Sequence, residues 1–356
     1  MPLERLHLHN FRLFKEKVFN ISEGTTLILG KNGSGKTSIL ESLNILISGK
    51  SFRTQETKEC IKSEQEFFNI SCKGTFAEKN LLLNSENSLS NRLKTSRKLD
   101  GSPIKKEDLY FLQIVLAKHL RLLEGEPEIR KEYFNSLMFH VKPELKKLNS
   151  SYQKALKQRN RCLKKGLSQA ELNLWSNEVA TLGLDLSKEQ YNFFQLFKGH
   201  VREFINTASR LSSFSYLEEA DVTFSKGWER SKKLEVSLKD CIDRDTALGY
   251  TSKGPHRMDF TFSIKNKKAS SNLSRGQLKI LILLIFLSNF RMIKELVQSE
   301  IILMIDDLGS ELDSKNLSAI LEEILKIDGQ IILTGIEGEE MHGSLKKLAN
   351  FTQINL

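Results

Sequence analysis

Little in this chain suggests a fold held by cross-links or embedded in lipid. Its four cysteines, Cys60, Cys72, Cys162 and Cys241, are scattered, with no Cys-x-x-Cys spacing and no histidine pair beside them. That excludes a disulfide framework and a cysteine zinc site, and it suits a reducing compartment. Long apolar runs are absent. The longest, ILILLIFL at 280–287, falls well short of the about 20 residues that span a bilayer, so it reads as buried helix. The opening residues carry Glu4, Arg5 and Arg12 without an apolar stretch, so no secretory leader is expected. Internal repeats are lacking and only one glycine-rich phosphate turn occurs, which excludes two fused nucleotide-binding cassettes. Acidic residues are outnumbered: 44 Asp and Glu against 54 Lys and Arg leave a net charge of +10. A basic balance favours polyanions, nucleic acid or an anionic membrane face, with plain solubility as the alternative.

What is present is a globular composition, 39% hydrophobic and 28% charged, in 356 residues, enough for one large domain or two ordinary ones. LERLHLHNFRLF alternates apolar and polar positions as a strand does, and TTLILG is an apolar run suited to a buried strand. TSILESLNILISG then repeats apolar residues at helical spacing and stops at Gly49. Residues 60–110 suggest an antiparallel sheet with an exposed basic hairpin. From about 126 to 245 the texture turns helical, with Pro127 and Pro143 as its only prolines. The strand pattern returns in MDFTFSI, followed by a helix over 276–298, a strand over 301–305, a helix over 314–327 and a strand over 330–335. The spacing therefore predicts an α/β head from 1–125 and 246–356, combining a mixed sheet behind the glycine turn with an antiparallel sheet. A mostly helical lobe, 126–245, is inserted into it.

The glycine turn is GKNGSGKT. Gly30-x4-Gly35-Lys36-Thr37 has the P-loop spacing and sits between an apolar strand and an amphipathic helix. Its glycines let successive N–H groups, from Gly30, Lys31, Asn32, Gly33, Ser34 and Gly35 through to Ser38, curl around phosphate at a helix N-terminus. Lys36 would reach the outer phosphates and Thr37 would ligate Mg²⁺, which makes ATP with Mg²⁺ the expected cofactor. The apolar strand IILMI ends in Asp306–Asp307. Asp306 would hold the metal through water and Asp307 would orient or deprotonate the attacking water. Gln113 is a candidate further metal or water contact. LSRGQLK at 273–279 opens a long helix, so it is either a simple N-cap or a second phosphate site. Within 151–165, Lys154, Lys157, Arg161, Lys164 and Lys165 recur at helical spacing with no acid among them, a stripe suited to DNA phosphates or a plain solvated face. Arg92, Lys94, Arg97 and Lys98 form a weaker second patch. His256 and Arg257 fit either a DNA contact or a braced turn.

The order of P-loop, LSRGQ, acidic strand and SELD resembles the ABC-type ATPases. That resemblance implies an ATP-dependent dimer in which Ser274, Arg275, Gly276 and Gln277 of one copy meet the nucleotide of the other, with Asp313 linking the two sites. LHNFRLF resembles the SMC branch, where Arg12 would approach the phosphates. The short insertion, together with EGEPEIRKEYFNSLMFH, YQKALKQRN, GYTSKGPHR and MIDDLGSELD, resembles the RecF family from residue 1 to about 335. Membership would imply a cytoplasmic, nucleoid-associated DNA-repair protein with no membrane role. It would bind DNA at single-strand gaps or stalled forks and act with RecR and RecO to load RecA, as a slow, DNA-dependent ATPase. A head working with a separate SMC-like structural subunit, or a transporter ATPase, is the alternative. The chain departs from the family at Ala117–Lys118, where a Pro-Glu pair is usual, and at Met258, where an acid is frequent. Thr334 ends a strand where many transporters place histidine. Asp307 is one methylene shorter than the transporter glutamate, which predicts slow turnover.

Overall fold

The computed structural model describes residues 3–297, 300–336 and 351–356, which pack as two compact units. The first contains Met1–His119, Leu211–Ser213 and Arg275–Leu356; the second contains Leu120–Arg210 and Phe214–Ser274.

Two sheets build the first unit. One is antiparallel, and its leading strand Leu3–Phe11 pairs with Phe14–Asn20 on one side and Phe67–Phe76 on the other. Its half-alternating burial is what a sheet covered on one face requires. The other sheet is parallel at every described pair, in the order Phe351–Asn355, Thr25–Leu29, Gln330–Gly335, Ile301–Ile305, Phe111–Val115. Thr25–Leu29, Gln330–Gly335 and Ile301–Ile305 are buried at every position, which is why they read as unbroken apolar runs rather than alternations. The helix Lys36–Ser48 packs on strands of both sheets. Its Leu40, Leu43 and Leu46 are wholly buried, each contributing about 1.5–3 kcal/mol. The helix expected over 276–298 runs Arg275–Val297, with residue 298 outside the described set. Its central turns are buried all round, the state an apolar helix of this kind demands.

The second unit holds the helices Pro127–Val141, Leu145–Lys165 and the 40-residue Gln169–Ala208. It also contains a three-stranded sheet in the order Lys267–Lys268, Asp259–Ile264, Ala220–Ser225. The return to the head expected at 246 therefore differs from the packing, which keeps 246–274 with the helices. The reason is pairing: Asp259–Ile264 is antiparallel to Ala220–Ser225 over six positions, and Arg130 grips Asp259 through two hydrogen bonds of 2.7 and 2.9 Å. A ring cluster of Phe134, Phe193, Phe197 and Phe260 fills the space between helix and sheet.

Candidate functional site

The glycine turn leaves the C-terminal end of Thr25–Leu29 and feeds the helix Lys36–Ser48. Gly35 has φ of 101°, and a Cβ there would sit 2.6 Å from the Phe14 ring. A Cβ at Gly30 would meet Ser34 Oγ at 2.6 Å. Both positions therefore need glycine for space, and Gly35 needs it for backbone conformation as well. Lys36 folds back over the turn, donating to the carbonyls of Gly30 at 2.8 Å and Lys31 at 2.9 Å. Two of its three donors are thus fixed by the loop and the ammonium is held where phosphate would lie.

Strand Ile301–Ile305 delivers Asp306 to the same place. Thr37 Oγ1 donates to the Asp306 carboxylate at 3.0 Å, joining P-loop and acidic strand across 269 positions of sequence. Thr334, at the end of Gln330–Gly335, is wholly buried; its hydroxyl donates to Asp306 Oδ1 at 2.7 Å and accepts the Asp307 N–H at 2.8 Å. Asp307 itself has φ of 54°, a left-handed conformation that costs about 1–2 kcal/mol outside glycine. It is pinned on its other side by Lys279, whose ammonium donates to the carbonyls of Asp307 and Ser310, both at 2.7 Å, and to Ser310 Oγ at 2.5 Å. Burial pushes the Lys279 ammonium below its ordinary pKa, opposed by Asp307, Glu311 and Asp306. Thr334 and Lys279 are the main residues that sequence reasoning undervalued. A charge set at the start of the apolar run 280–287 was the available signal for Lys279.

Buried polar atoms test whether a Mg²⁺-nucleotide fits. Ser34 Oγ, Gln113 Oε1 and Asp307 Oδ1 are buried without a hydrogen-bond partner among the described residues, an expensive state that a ligand or its waters would relieve. Gln113 is anchored by its amide to the Phe286 carbonyl at 3.2 Å, leaving its oxygen unsatisfied. The donor set of the Thr37 hydroxyl and the two carboxylates is all oxygen, as magnesium prefers, whereas Gln113 lies in register with Leu303, three residues before Asp306, and is not joined to them.

The remaining expected site residues fall elsewhere. Arg12 is held by Glu41, through Nε at 2.9 Å and Nη2 at 2.6 Å, and by the Glu59 carbonyl at 2.8 Å. Burial alone would push the Glu41 carboxyl up; hydrogen bonds from Arg12 and Ser51, with the charges of Arg12 and Arg53, outweigh it and hold the pKa down. Ser274 and Arg275 are exposed at the start of their helix, and Arg275 reaches Glu311 at 3.3 Å. Gly276 has a reason within the chain, because a Cβ there would lie 2.6 Å from the Glu311 carbonyl. Asp313 caps the helix Ser314–Leu325, accepting from Asn316 N at 2.8 Å.

On Leu145–Lys165, the side chains of Lys154, Lys157, Arg161, Lys164 and Lys165 are all exposed. They lie within about 100° of the helix circumference, and none has a carboxylate within ion-pair reach among the described residues. Arg159, on the same helix, is instead wholly buried against Asp245 at 2.8 Å. His256 is structural: its ring bonds the Tyr152 hydroxyl at 2.6 Å and the Thr251 carbonyl at 3.0 Å.

The family model described as the RecF/RecN/SMC N terminal domain matches residues 2–355. The DNA replication and repair protein RecF of Teredinibacter turnerae is 30% identical over 346 residues, covering 95% of this chain and 89% of the relative. That of Pseudoalteromonas atlantica is 30% identical over 348 residues, covering 96% and 94%. Among solved structures, the recombination mediator protein RecF bound to ATPrS superposes with a TM-score of 0.75 at 22% identity, covering 95% of this chain and 93% of that one. An Smc head bound to the C-winged helix domain of ScpA gives 0.54 at 14% identity, covering 96% and 91%. Among the described residues, no helix is long and apolar enough to cross a membrane.

Proposed function

The chain belongs to the RecF/RecN/SMC family and, within it, to the RecF proteins, and from that premise we propose that it is an ATP-switched DNA-binding protein of recombinational repair. The observation that carries the reading is the joining of Thr37, Asp306, Thr334 and Asp307 at the ends of parallel strands beside the glycine turn. When bound, Mg²⁺-ATP would supply the phosphate charge and the scissile bond. The chain's own part is to hold Lys36 over the turn, fix Asp306 against Thr37, and aim the unpartnered Asp307 Oδ1 at the site as an acceptor for a water proton. The start of the signature helix, Ser274 to Gln277, with Ser274 and Arg275 exposed, would cap the nucleotide of a second copy, so that ATP closes a homodimer.

In this reading the dimer grips duplex DNA at gaps or stalled forks through phosphate contacts, with Lys154, Lys157, Arg161, Lys164 and Lys165 as the basic stripe. It recruits RecR with RecO and favours RecA loading. Hydrolysis is slow and times release, because the short Asp307 side chain reaches water poorly. The compact helical unit argues against a head that depends on a long structural subunit. Light scattering with ADP, ATP and ATP plus duplex DNA tests the proposal. Dimers are expected only with ATP, and they should be lost in Lys36→Met and in Ser274→Arg, the latter still binding ATP. A monomer that ignores both ATP and DNA would sink it.

A further inference from the structure

The long helix Gln169–Ala208 presents Leu184, Lys188, Tyr191 and Gln195 along one ridge, at spacings of four, three and four residues. Opposite lies Ala220–Ser225, the edge strand of its sheet. The groove between them has a volume of about 740 Å³, the size of a site for a few peptide residues. Four cations line it, Lys188, Lys198, Lys226 and Arg230, and no carboxylate does. Lys198 is paired with Asp221 at 2.8 Å. Lys188, Lys226 and Arg230 have no carboxylate within ion-pair reach among the described residues; Glu229 favours the charged form of Lys226 but is itself paired with Lys253 at 2.7 Å, so the wall stays net positive.

The edge strand is already blunted. Lys198 donates to the Val222 carbonyl at 2.7 Å and Arg230 to the Phe224 carbonyl at 3.3 Å. Cations folded over an edge in this way discourage a further strand from pairing there, and they consume acceptors that a cationic ligand would need. Lys226 lies 4.5 Å above the Trp228 ring and donates to the carbonyls of Arg230 and Lys232. Burial pushes its ammonium below the ordinary lysine pKa, an unfavourable state that a nearby anion would relieve. The floor is aromatic: Phe194 and Phe224 are 4.9 Å apart, with Tyr191 6.0 Å from Phe224. Phe194 and Trp228 are 3% and 7% exposed, whereas Tyr191 is 52% and Leu184 45% exposed. With Phe194 buried and the tryptophan face covered by Lys226, the groove offers Tyr191 as its one exposed ring, with Phe224 only half-buried beside it. Successive nucleic-acid bases would want a row of such faces. An aliphatic or aromatic side chain lodged between Leu184 and Tyr191 suits it better.

We propose that this groove docks an acidic segment of a partner protein, with a leucine or phenylalanine seated between Leu184 and Tyr191 and flanking carboxylates on Lys188, Lys226 and Arg230. The site stands apart from nucleotide chemistry and does not depend on the ATP reading. The test is fluorescence anisotropy of a labelled peptide with a central Leu-Phe pair flanked by aspartates, titrated with the whole protein. Saturable binding with a micromolar Kd is expected, about tenfold weaker in Lys188→Glu/Arg230→Glu and similarly weaker in Tyr191→Ala. Lys154→Glu/Lys157→Glu, which reverses charge elsewhere, should leave it unchanged. Three results would overturn the proposal: no binding at millimolar protein, equal weakening by the Lys154/Lys157 variant, or labelled oligothymidylate binding in place of the peptide with the same dependence on Lys188 and Arg230.

Discussion

Replacing Thr334 with valine keeps the branched shape of a wholly buried side chain and deletes only its hydroxyl. Two things are lost together. Asp306 loses the 2.7 Å donor that turns it towards Thr37, and the Asp307 N–H loses its 2.8 Å acceptor. A hydrogen bond to a charged acceptor is worth about 1.5–3 kcal/mol, and an orphaned buried N–H costs about 1–3 kcal/mol. Part of that total appears as lower stability. The part expressed at the site, about 3 kcal/mol, corresponds to roughly a hundredfold in rate. Single-turnover phosphate release should therefore fall about a hundredfold in Thr334→Val. ATP binding measured calorimetrically in EDTA should be unchanged, since Lys36 and the glycine turn are untouched, while the gain in affinity on adding Mg²⁺ shrinks. Thr334→Ser restores both, having the same donor. Wild-type hydrolysis by a folded Thr334→Val protein would refute the claim that this hydroxyl organises the two carboxylates.

Lys279→Met leaves the Asp307 and Ser310 carbonyls without their buried donor, at about 2–3 kcal/mol of stability. Hydrolysis should fall while ATP binding persists, and Lys279→Arg should not rescue it, because a planar fork does not fit three convergent acceptors. Arg159→Met strands the buried Asp245 and should cost about 3–5 kcal/mol in urea unfolding, much of it recovered by Arg159→Met/Asp245→Leu. Charge reversal at Lys157 and Arg161 should instead leave stability alone, weaken duplex binding and flatten its salt dependence. Burial holds His256 and His119 at a pKa of about 4 in the folded protein, below the about 6.5 of the unfolded chain. The unfolded state then binds more protons between those values. The stability these rings contribute is full above about pH 6.5 and is lost as pH falls towards 4, about 2 kcal/mol each by pH 5. The gap between urea midpoints measured at neutral and mildly acid pH should narrow in the His256→Asn variant, the remainder coming from His119.

Much of the nucleotide site was legible because its parts are local. A P-loop needs glycines, lysine and a hydroxyl in one short run, and a buried parallel strand must be apolar along its whole length, so GKNGSGKT and IILMIDD announce themselves. The stripe on Leu145–Lys165 was legible for the same reason, since helical spacing alone aligns its cations. Arg159 shows the limit of that reasoning. It is as basic as its neighbours, yet it turns inward because Asp245, Thr251 and Ser176 wait there. Likewise Asp259–Ile264 has the pattern of a head strand, and nothing in that pattern names Ala220–Ser225 as its partner.

The sequence by itself determined the chemistry on offer: one phosphate turn, one acidic strand, one signature helix, and a surplus of cations. It did so because spacing along a strand or helix dictates which side chains share a face. Tertiary structure alone decided which of those groups meet. Thr334 comes between Asp306 and Asp307, Lys279 reaches the Asp307–Ser310 turn, and Glu41 captures Arg12, because strands and helices distant in sequence are brought together by the burial of their apolar faces. That burial has no periodicity from which partners can be read.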